Sequence, residues 1–87
     1  MVWIYNFTTM WIEENNQLKR NFVFTDFKAA FAFMTKVATI AEEMNHHPLW
    51  TNEYNKVEIR LSTHDAGNIV TDKDRKLAVA IDKAFEK

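Results

Sequence analysis

Histidine is the side chain in this sequence best suited to chemistry. All three copies fall in one half of the chain, as the adjacent pair His46-His47 and as His64. An imidazole changes protonation near neutral pH, so one ring can donate and accept a proton within a single turnover. Two or three imidazoles around a polar heterocycle suit a dehydration. One group then protonates a leaving hydroxyl while another accepts a proton from the substrate.

Other polar side chains accompany these histidines in the sequence. Glu42 precedes His46 by one helical turn, and Ser62 and Thr63 place two hydroxyls directly before His64. The ends of helices and strands are where side chains leave the core and gather at a surface cleft. We therefore expect these groups to meet if the helix that carries Glu42 packs on the strand that ends at His64.

Simpler interpretations of the same residues stay open at this point. Taken alone, a His-His pair at a helix end is more often a cap or surface decoration than a catalytic site. Three histidines also suffice for a zinc ion, although no H-x-H or H-x-x-x-H spacing is present. Glu42 could be a solvated helix residue, Trp50 a core or interface residue, and Asp74 a helix cap.

A long helix should position the His46-His47 pair. Thr25 or Asp26 can cap its start, and the apolar pattern continues to about Met44. The predicted inner stripe recurs in steps of three and four: Phe27, Ala30, Phe31, Met34, Val37, Ala38, Ala41 and Met44.

The apolar surface of this helix is wider than one stripe. Phe33 and Ile40 extend it, and a monomer has little use for such width. We expect the helix to pack on a sheet and also against another chain.

Four strands are predicted from alternation and from turn residues. Residues 56–63 form the clearest one, with Val57, Ile59 and Leu61 on one face. Residues 49–53 form a short strand before a Tyr-Asn turn.

An N-terminal hairpin supplies the other two strands, at residues 10–14 and 18–24 around an Asn-rich turn. Residues 1–9 are apolar and receive no assignment.

A second helix should end the chain. Thr71 resembles an N-cap, and Asp74 three residues later completes a variant of the capping box. Its inner stripe contains Leu77, Ala78, Ile81, Ala84 and Phe85. The element order strand, strand, helix, strand, strand, helix predicts an α+β fold, with both helices on one face of a four-stranded antiparallel sheet.

Composition narrows the classes of protein that fit. The 87 residues suit a single domain spanning 1–87, and 47% of them are hydrophobic, which favours a packed core. The absence of cysteine excludes disulfides and thiolate chemistry, and a net charge of −1 argues against nucleic-acid binding. Neither a convincing signal peptide nor an apolar run of membrane-spanning length is present, so we expect a cytoplasmic protein without membrane contact.

The combined motifs resemble the pterin-4a-carbinolamine dehydratases. The family signature is an E-x-x-[DN]-H-H-P segment at a helix end, a Tyr-Asn turn, and a strand that ends in S/T-T-H. Here it reads AEEMNHHPLWTNEYNKVEIRLSTHDAG over residues 41–67. The similarity extends through FVFTDFKAAFAFMTKVA upstream and TDKDRKLAVAID downstream, and covers about residues 11–85.

The resemblance implies a fold, an activity and a substrate. The implied fold has helices on one face of a four-stranded antiparallel sheet, in agreement with the element order. Family members dehydrate 4a-hydroxytetrahydrobiopterin to quinonoid dihydrobiopterin, which recycles the tetrahydrobiopterin used by aromatic amino-acid hydroxylases. Neither a metal nor an organic cofactor takes part, because the pterin is the substrate. The family forms dimers and tetramers, so a homodimer or homotetramer is expected.

The resemblance also implies roles for individual residues. His46, His47 and His64 match the catalytic histidines; our hypothesis gives His46 and His64 proton transfer and His47 the orientation of the pterin. The substrate-binding set implied by the resemblance contains Glu42, Asn45, Pro48, Trp50, Ser62, Thr63 and Asp74.

The chain departs from the family pattern at a few positions. The helix that usually precedes the counterpart of Trp11 is missing or replaced, and Leu49 stands where an acidic residue is common. The loop after His64 carries Gly67-Asn68 in place of a frequent Gly-Gly and is one residue longer. The alternative function is a non-catalytic module of the same fold that binds a pterin or a protein partner, or that dimerises.

Overall fold

Two β-hairpins and two helices make up residues 10–86, the part of the chain that the computed structural model describes. The apolar residues 1–9, left unassigned above, lie outside the described residues. The order of elements agrees with the prediction: β1 (Ile12–Glu14), β2 (Gln17–Val23), α1 (Phe27–Met44), β3 (Leu49–Glu53), β4 (Lys56–Leu61) and α2 (Asp72–Glu86). A single 3-10 turn, His64–Ala66, follows β4.

The four strands form one antiparallel sheet in the order β1-β2-β4-β3. In its centre, Phe22 of β2 lies opposite Val57 of β4. The first hairpin turns through Asn15 and Asn16, whose φ angles of 52° and 63° are the left-handed values that a tight two-residue hairpin requires. The predicted α+β fold with a four-stranded antiparallel sheet is confirmed.

One face of this sheet carries the core. Val57, Ile59 and Leu61 are buried, as their alternation predicted, while the intervening β4 side chains are partly exposed. The buried stripes of both helices join the same cluster, so both helices cover one face. The cluster contains Ala30, Phe33 and Val37 of α1 and Leu77, Ala78 and Ile81 of α2. Ala41 of α1 is buried as well.

The inner face of α1 differs from the predicted stripe. Phe33 is 4% exposed and belongs to the core, whereas Phe31 is 52% exposed and contacts Phe27 on the outer side. Three more members of the predicted stripe are exposed: Phe27, Ala38 and Met44. Apolar residues surround most of this helix, so sequence spacing alone did not define the centre of the buried face. The expected contact with another chain stays a prediction.

Side-chain caps define where each helix begins. Asp26 is the N-cap of α1, and its Oδ1 accepts from the Ala29 amide at 2.8 Å. At α2 the Thr71 amide donates to Asp74 Oδ2 at 2.8 Å, while Thr71 Oγ1 accepts from the Lys73 amide at 3.3 Å. Thr71 is therefore the N-cap as predicted, and Asp74 supplies the acidic half of the capping box, but the Thr71 hydroxyl bonds the Lys73 amide instead of the Asp74 amide.

Helix α2 is tied to the sheet near both of its ends. At the N-terminal end Asp74 accepts a hydrogen bond from Thr63, which follows β4, at 2.8 Å. At the C-terminal end Asp82 accepts from Arg20 of β2 at 2.6 Å and from the Trp11 indole at 2.8 Å. Arg20 is only 6% exposed and Asp82 31%, so this pair is screened less by salt than a fully exposed pair would be. These two links set the position of α2 against the strand end that carries His64.

Candidate functional site

The end of α1 directs His46 toward α2. Asn45 adopts a left-handed conformation with φ of 53°, which ends the helix, and the His46 amide donates back to the Ala41 carbonyl at 3.0 Å. The His46 side chain is 11% exposed, and its Nε2 lies 2.6 Å from Asp74 Oδ1. A carboxylate only accepts hydrogen bonds, so Nε2 carries the proton and Nδ1 is the nitrogen left for a ligand.

Asp74 is a buried carboxylate whose hydrogen bonds all come from this network. It has no exposed surface, and its Oδ2 accepts from the Thr63 hydroxyl and from the Thr71 amide, each at 2.8 Å. Among the described residues, no buried side-chain polar atom lacks a hydrogen-bond partner. Removal of this carboxylate would leave its buried donors without an acceptor, which costs free energy. The intact network is therefore rigid.

His47 lies on the outer side of the pair. Its Nε2 is 2.9 Å from Glu42 Oε1, and the two side chains are 58% and 82% exposed. Water competes for both groups, so this contact orients His47 only weakly.

His64 opens the 3-10 turn after β4. Its Nδ1 lies 3.1 Å from the Asn68 side-chain oxygen, and its ring is exposed. The Thr63 carbonyl accepts from the amides of Ala66 and Asn68 at 3.2 and 3.0 Å, which folds the loop back beside the imidazole.

All three histidines face one cleft with a volume of about 300 Å³. Of the sequence-predicted site residues, the structure brings six together here, and it adds two charged residues. The lining consists of Asn45, His46, His47, Ser62, Thr63, His64, Asp65 and Lys73. The expected convergence of the helix end and the strand end is therefore present, while the catalytic roles of these residues stay predictions.

The remaining predicted site residues do not line the cleft. Trp50 is paired with Ile59 across β3 and β4 and packs against the core, because strand alternation directs its side chain inward. Pro48 is likewise absent from the cleft lining. Asp74 lies beneath His46, and Glu42 contacts His47.

Sequence reasoning missed two cleft residues and one histidine partner. Asp65 follows His64 and Lys73 precedes Asp74, so their proximity to recognised site residues was an available signal. The contact between Asn68 and His64 spans four positions in an irregular loop, where no periodicity indicates which side chains meet.

Residues 10–86 contain neither a metal-binding cluster nor a membrane-spanning helix. No group of three histidine, cysteine or acidic side chains in this range could hold a metal ion. Neither helix in it combines the length and apolar character needed to cross a membrane.

Comparison with known proteins agrees with the fold and shows the family. The family model described as "Pterin 4 alpha carbinolamine dehydratase" matches residues 4–84. The chain belongs to this family.

Individual relatives are similar over most of their length. A Prochlorococcus marinus (strain NATL2A) protein named "Putative pterin-4-alpha-carbinolamine dehydratase" is 55% identical over 73 residues, which cover 84% of this chain and 76% of the relative. A protein of the same name from Synechococcus sp. (strain WH7803) is 56% identical over 72 residues, covering 83% of this chain and 76% of the relative.

Two solved structures have a similar fold. A transcriptional coactivator/pterin dehydratase from Brucella melitensis superposes with a TM-score of 0.80 at 39% identity, covering 85% of this chain and 80% of the other. A pterin dehydratase-like protein identified as a RuBisCO assembly factor in the alpha-carboxysome gives 0.69 at 22% identity, covering 86% of each chain. At that identity the second likeness concerns the fold alone.

Proposed function

We propose that this protein is a hydro-lyase that dehydrates 4a-hydroxytetrahydrobiopterin, a pterin-4a-carbinolamine, to quinonoid dihydrobiopterin. The observation that carries the proposal is the meeting of three imidazoles on one cleft. Each of them has one nitrogen in contact with a side-chain oxygen. The second nitrogen of each ring is then available for a proton of the substrate.

The reaction breaks one C–O bond and moves two protons. The N5 lone pair forms a double bond to C4a as the C4a hydroxyl departs. A general acid protonates that hydroxyl, so it leaves as water, and a general base removes the proton from N5. In this proposal side chains of the protein supply both the acid and the base, so the mechanism uses no metal and no organic cofactor.

His46 is assigned as the general acid. Protonation gives its ring a positive charge, and the Asp74 carboxylate at 2.6 Å compensates that charge inside the protein. Asp74 also holds Nε2, so the transferable proton is the one on Nδ1. A ring that is 11% exposed keeps this geometry better than a freely rotating one.

His64 is assigned as the general base. Its partner, the Asn68 amide, is neutral and offers no charge to compensate an imidazolium. A neutral ring whose Nδ1 donates to Asn68 has an unshared electron pair on Nε2, and this pair accepts the N5 proton. Protons of the two rings are exchanged with water between turnovers.

The other cleft residues bind and orient the pterin in this proposal. His47, Asn45, Ser62 and Thr63 supply neutral donors and acceptors around a flat, nitrogen-rich ring. Asp65 and Lys73 add one charge of each sign.

We further propose that the enzyme works in the cytoplasm as a homodimer or homotetramer and recycles tetrahydrobiopterin.

The alternative is a binding module of the same fold without turnover. A pterin dehydratase-like relative of the fold is a RuBisCO assembly factor, so the fold alone does not require catalysis. The three converging histidines and the buried Asp74 favour the enzyme, because a binding surface has no need of paired proton donors and acceptors.

A coupled assay tests the proposal directly. A pterin-dependent hydroxylase generates the carbinolamine, and its absorbance decay is followed with and without this protein. We expect catalytic amounts to accelerate the decay well above the spontaneous rate, and the His64→Gln variant to lose most of that acceleration. A spontaneous rate that the protein leaves unchanged, together with measurable pterin binding, would establish the binding module instead.

A further inference from the structure

Asn68 occupies an unusual backbone position beside the exposed histidine. Its φ is 61°, and it follows Gly67, whose φ is 92°, so two successive residues are left-handed. The Asn68 amide donates to the Thr63 carbonyl at 3.0 Å, and the Gly67 amide donates to the His64 carbonyl at 3.0 Å. These two bonds close the loop and place the Asn68 side-chain oxygen within 3.1 Å of His64 Nδ1.

The residue type at this position has a physical explanation that goes beyond the turn. Glycine is the default at positive φ, and asparagine is among the few side chains that tolerate it. The hairpin residues Asn15 and Asn16 also have positive φ, but among residues 10–86 Asn68 is the positive-φ asparagine whose side chain reaches a histidine. Asparagine here therefore satisfies the backbone and supplies an amide oxygen at the same time.

We propose that Asn68 is a positioning residue that holds His64 with its proton on Nδ1 and its free electron pair on Nε2, the nitrogen available to the cleft. The inference deepens the proposed function, on which it rests, because that function needs His64 as a proton acceptor. The 3.1 Å contact between His64 Nδ1 and the Asn68 oxygen carries the argument. An N–H donor on Nδ1 satisfies that oxygen, and a neutral imidazole has one N–H only.

The remaining charged and titratable groups on the cleft do not supply this contact. Asp65 and Lys73 line the cleft, as do His46 and His47. His46 and His47 have their own carboxylate partners, Asp74 and Glu42. Within residues 10–86 no hydrogen bond joins any of these groups to His64, whereas Asn68 does.

A reversed amide would give the opposite chemistry. If the Asn68 NH₂ group pointed at Nδ1, that nitrogen would accept, and Nε2 would carry the proton and could not act as a base. Substitution by aspartate separates the two cases, because a carboxylate can accept from Nδ1–H but cannot donate to it.

The tautomer of His64 is measured first, in the unmodified protein. The ¹⁵N spectrum of protein labelled at histidine, assigned with His64→Gln, distinguishes a protonated from an unprotonated ring nitrogen. We expect neutral His64 to carry its proton on Nδ1. Protonation on Nε2 would overturn the proposal without any variant.

Two variants and one matched control then connect the tautomer to activity. Asn68→Gly keeps a residue suited to positive φ but removes the amide; we expect a mixed tautomer and a kcat lower by about tenfold, with little change in KM. Asn68→Asp should restore the Nδ1–H form in the ¹⁵N spectrum, because a carboxylate accepts from that N–H. Asn16→Gly makes the same exchange at a φ of 63° in the distant hairpin and should change neither measurement.

The results that contradict the inference are equally specific. An unchanged ¹⁵N spectrum and kcat in Asn68→Gly would show that the amide does not position His64. A neutral His64 ring that carried its proton on Nε2 in Asn68→Asp would show that an acceptor at position 68 does not set the tautomer. Failure of the proposed function is distinguishable, since it appears as absent turnover in the unmodified protein, while the tautomer measurement requires no turnover.

Discussion

The end of α1 and the segment after β4 meet at the cleft, and they hold their histidines in different ways. At the end of α1, His46 is nearly buried and lies 2.6 Å from a carboxylate that has no exposed surface. After β4, His64 is exposed and contacts the amide of a loop residue at 3.1 Å. One ring has a charged partner fixed by the core, and the other has a neutral partner fixed by local loop geometry.

This difference is what separates the two roles assigned to chemically identical side chains. A charged partner compensates an imidazolium, whereas a neutral partner does not. The environment therefore assigns the acid role to His46 and the base role to His64 in the proposed mechanism. The two environments also differ in how a substitution affects stability. A change near His46 disturbs buried hydrogen bonds and therefore lowers stability. A change within the exposed loop at residues 64–68 affects solvated groups and leaves the core as it is.

Removing either ring should have the largest effect on catalysis. We expect His46→Gln and His64→Gln each to lower kcat by about 10²–10⁴-fold, since each removes one general acid or base. Measured with the coupled assay, the double variant should lose less than the product of the single losses, because the two rings serve one step. Full kcat in either single variant would remove that ring from the mechanism.

Substitution of the buried carboxylate should have the next largest effect. In the native protein His46, Thr63 and the Thr71 amide use both oxygens of Asp74, whereas Asp74→Asn leaves only one acceptor oxygen for them. We expect kcat to fall by about 10–10²-fold and the free energy of unfolding by about 1–3 kcal/mol. Urea denaturation and steady-state kinetics measure both.

Asp72→Asn is the matched control for that experiment, because it makes the same exchange two residues away at an exposed position. It should leave kcat unchanged and stability within about 0.5 kcal/mol. If Asp74→Asn behaved like this control, the buried network would have no role in holding His46.

A smaller effect is expected for Thr63, which contacts Asp74 and reaches the His46 ring only through it. Thr63→Val removes a hydroxyl that donates to Asp74 at 2.8 Å while it keeps the shape of the side chain. We expect a loss of about 1–2 kcal/mol in stability and a decrease in kcat of a few fold. Thr51→Val, at an exposed position of β3, is the control and should be neutral in both measurements. Equal stability of the two variants would show that the Thr63 hydroxyl adds nothing to the network.

The smallest effect concerns the exposed partner of His47. Glu42→Gln replaces a carboxylate that is 82% exposed, so we expect less than about a twofold change in kcat or KM. Glu43→Gln, at the next exposed position of α1, serves as the control. A tenfold loss in Glu42→Gln alone would give the His47 pair an importance comparable to that of His46 and Asp74.

Local features of the sequence were sufficient for most of the fold. The alternation of Val57, Ile59 and Leu61 identified a half-buried strand, and Asp26 and the Thr71–Asp74 pair marked where the helices begin. Each of these signals depends on residues within four positions of one another, so backbone geometry alone determines which side chains meet. The His-His-Pro and Thr-His motifs pointed to the family in the same way.

Tertiary structure alone decided the details of the cleft. The contact between His46 and Asp74 joins residues 28 positions apart, and the inward direction of Trp50 depends on how β3 pairs with β4. The rotation of α1 that buries Phe33 and exposes Phe31 likewise follows from packing on the sheet. Such contacts depend on the relative placement of whole elements, and many rotations of an apolar helix are compatible with one sequence pattern.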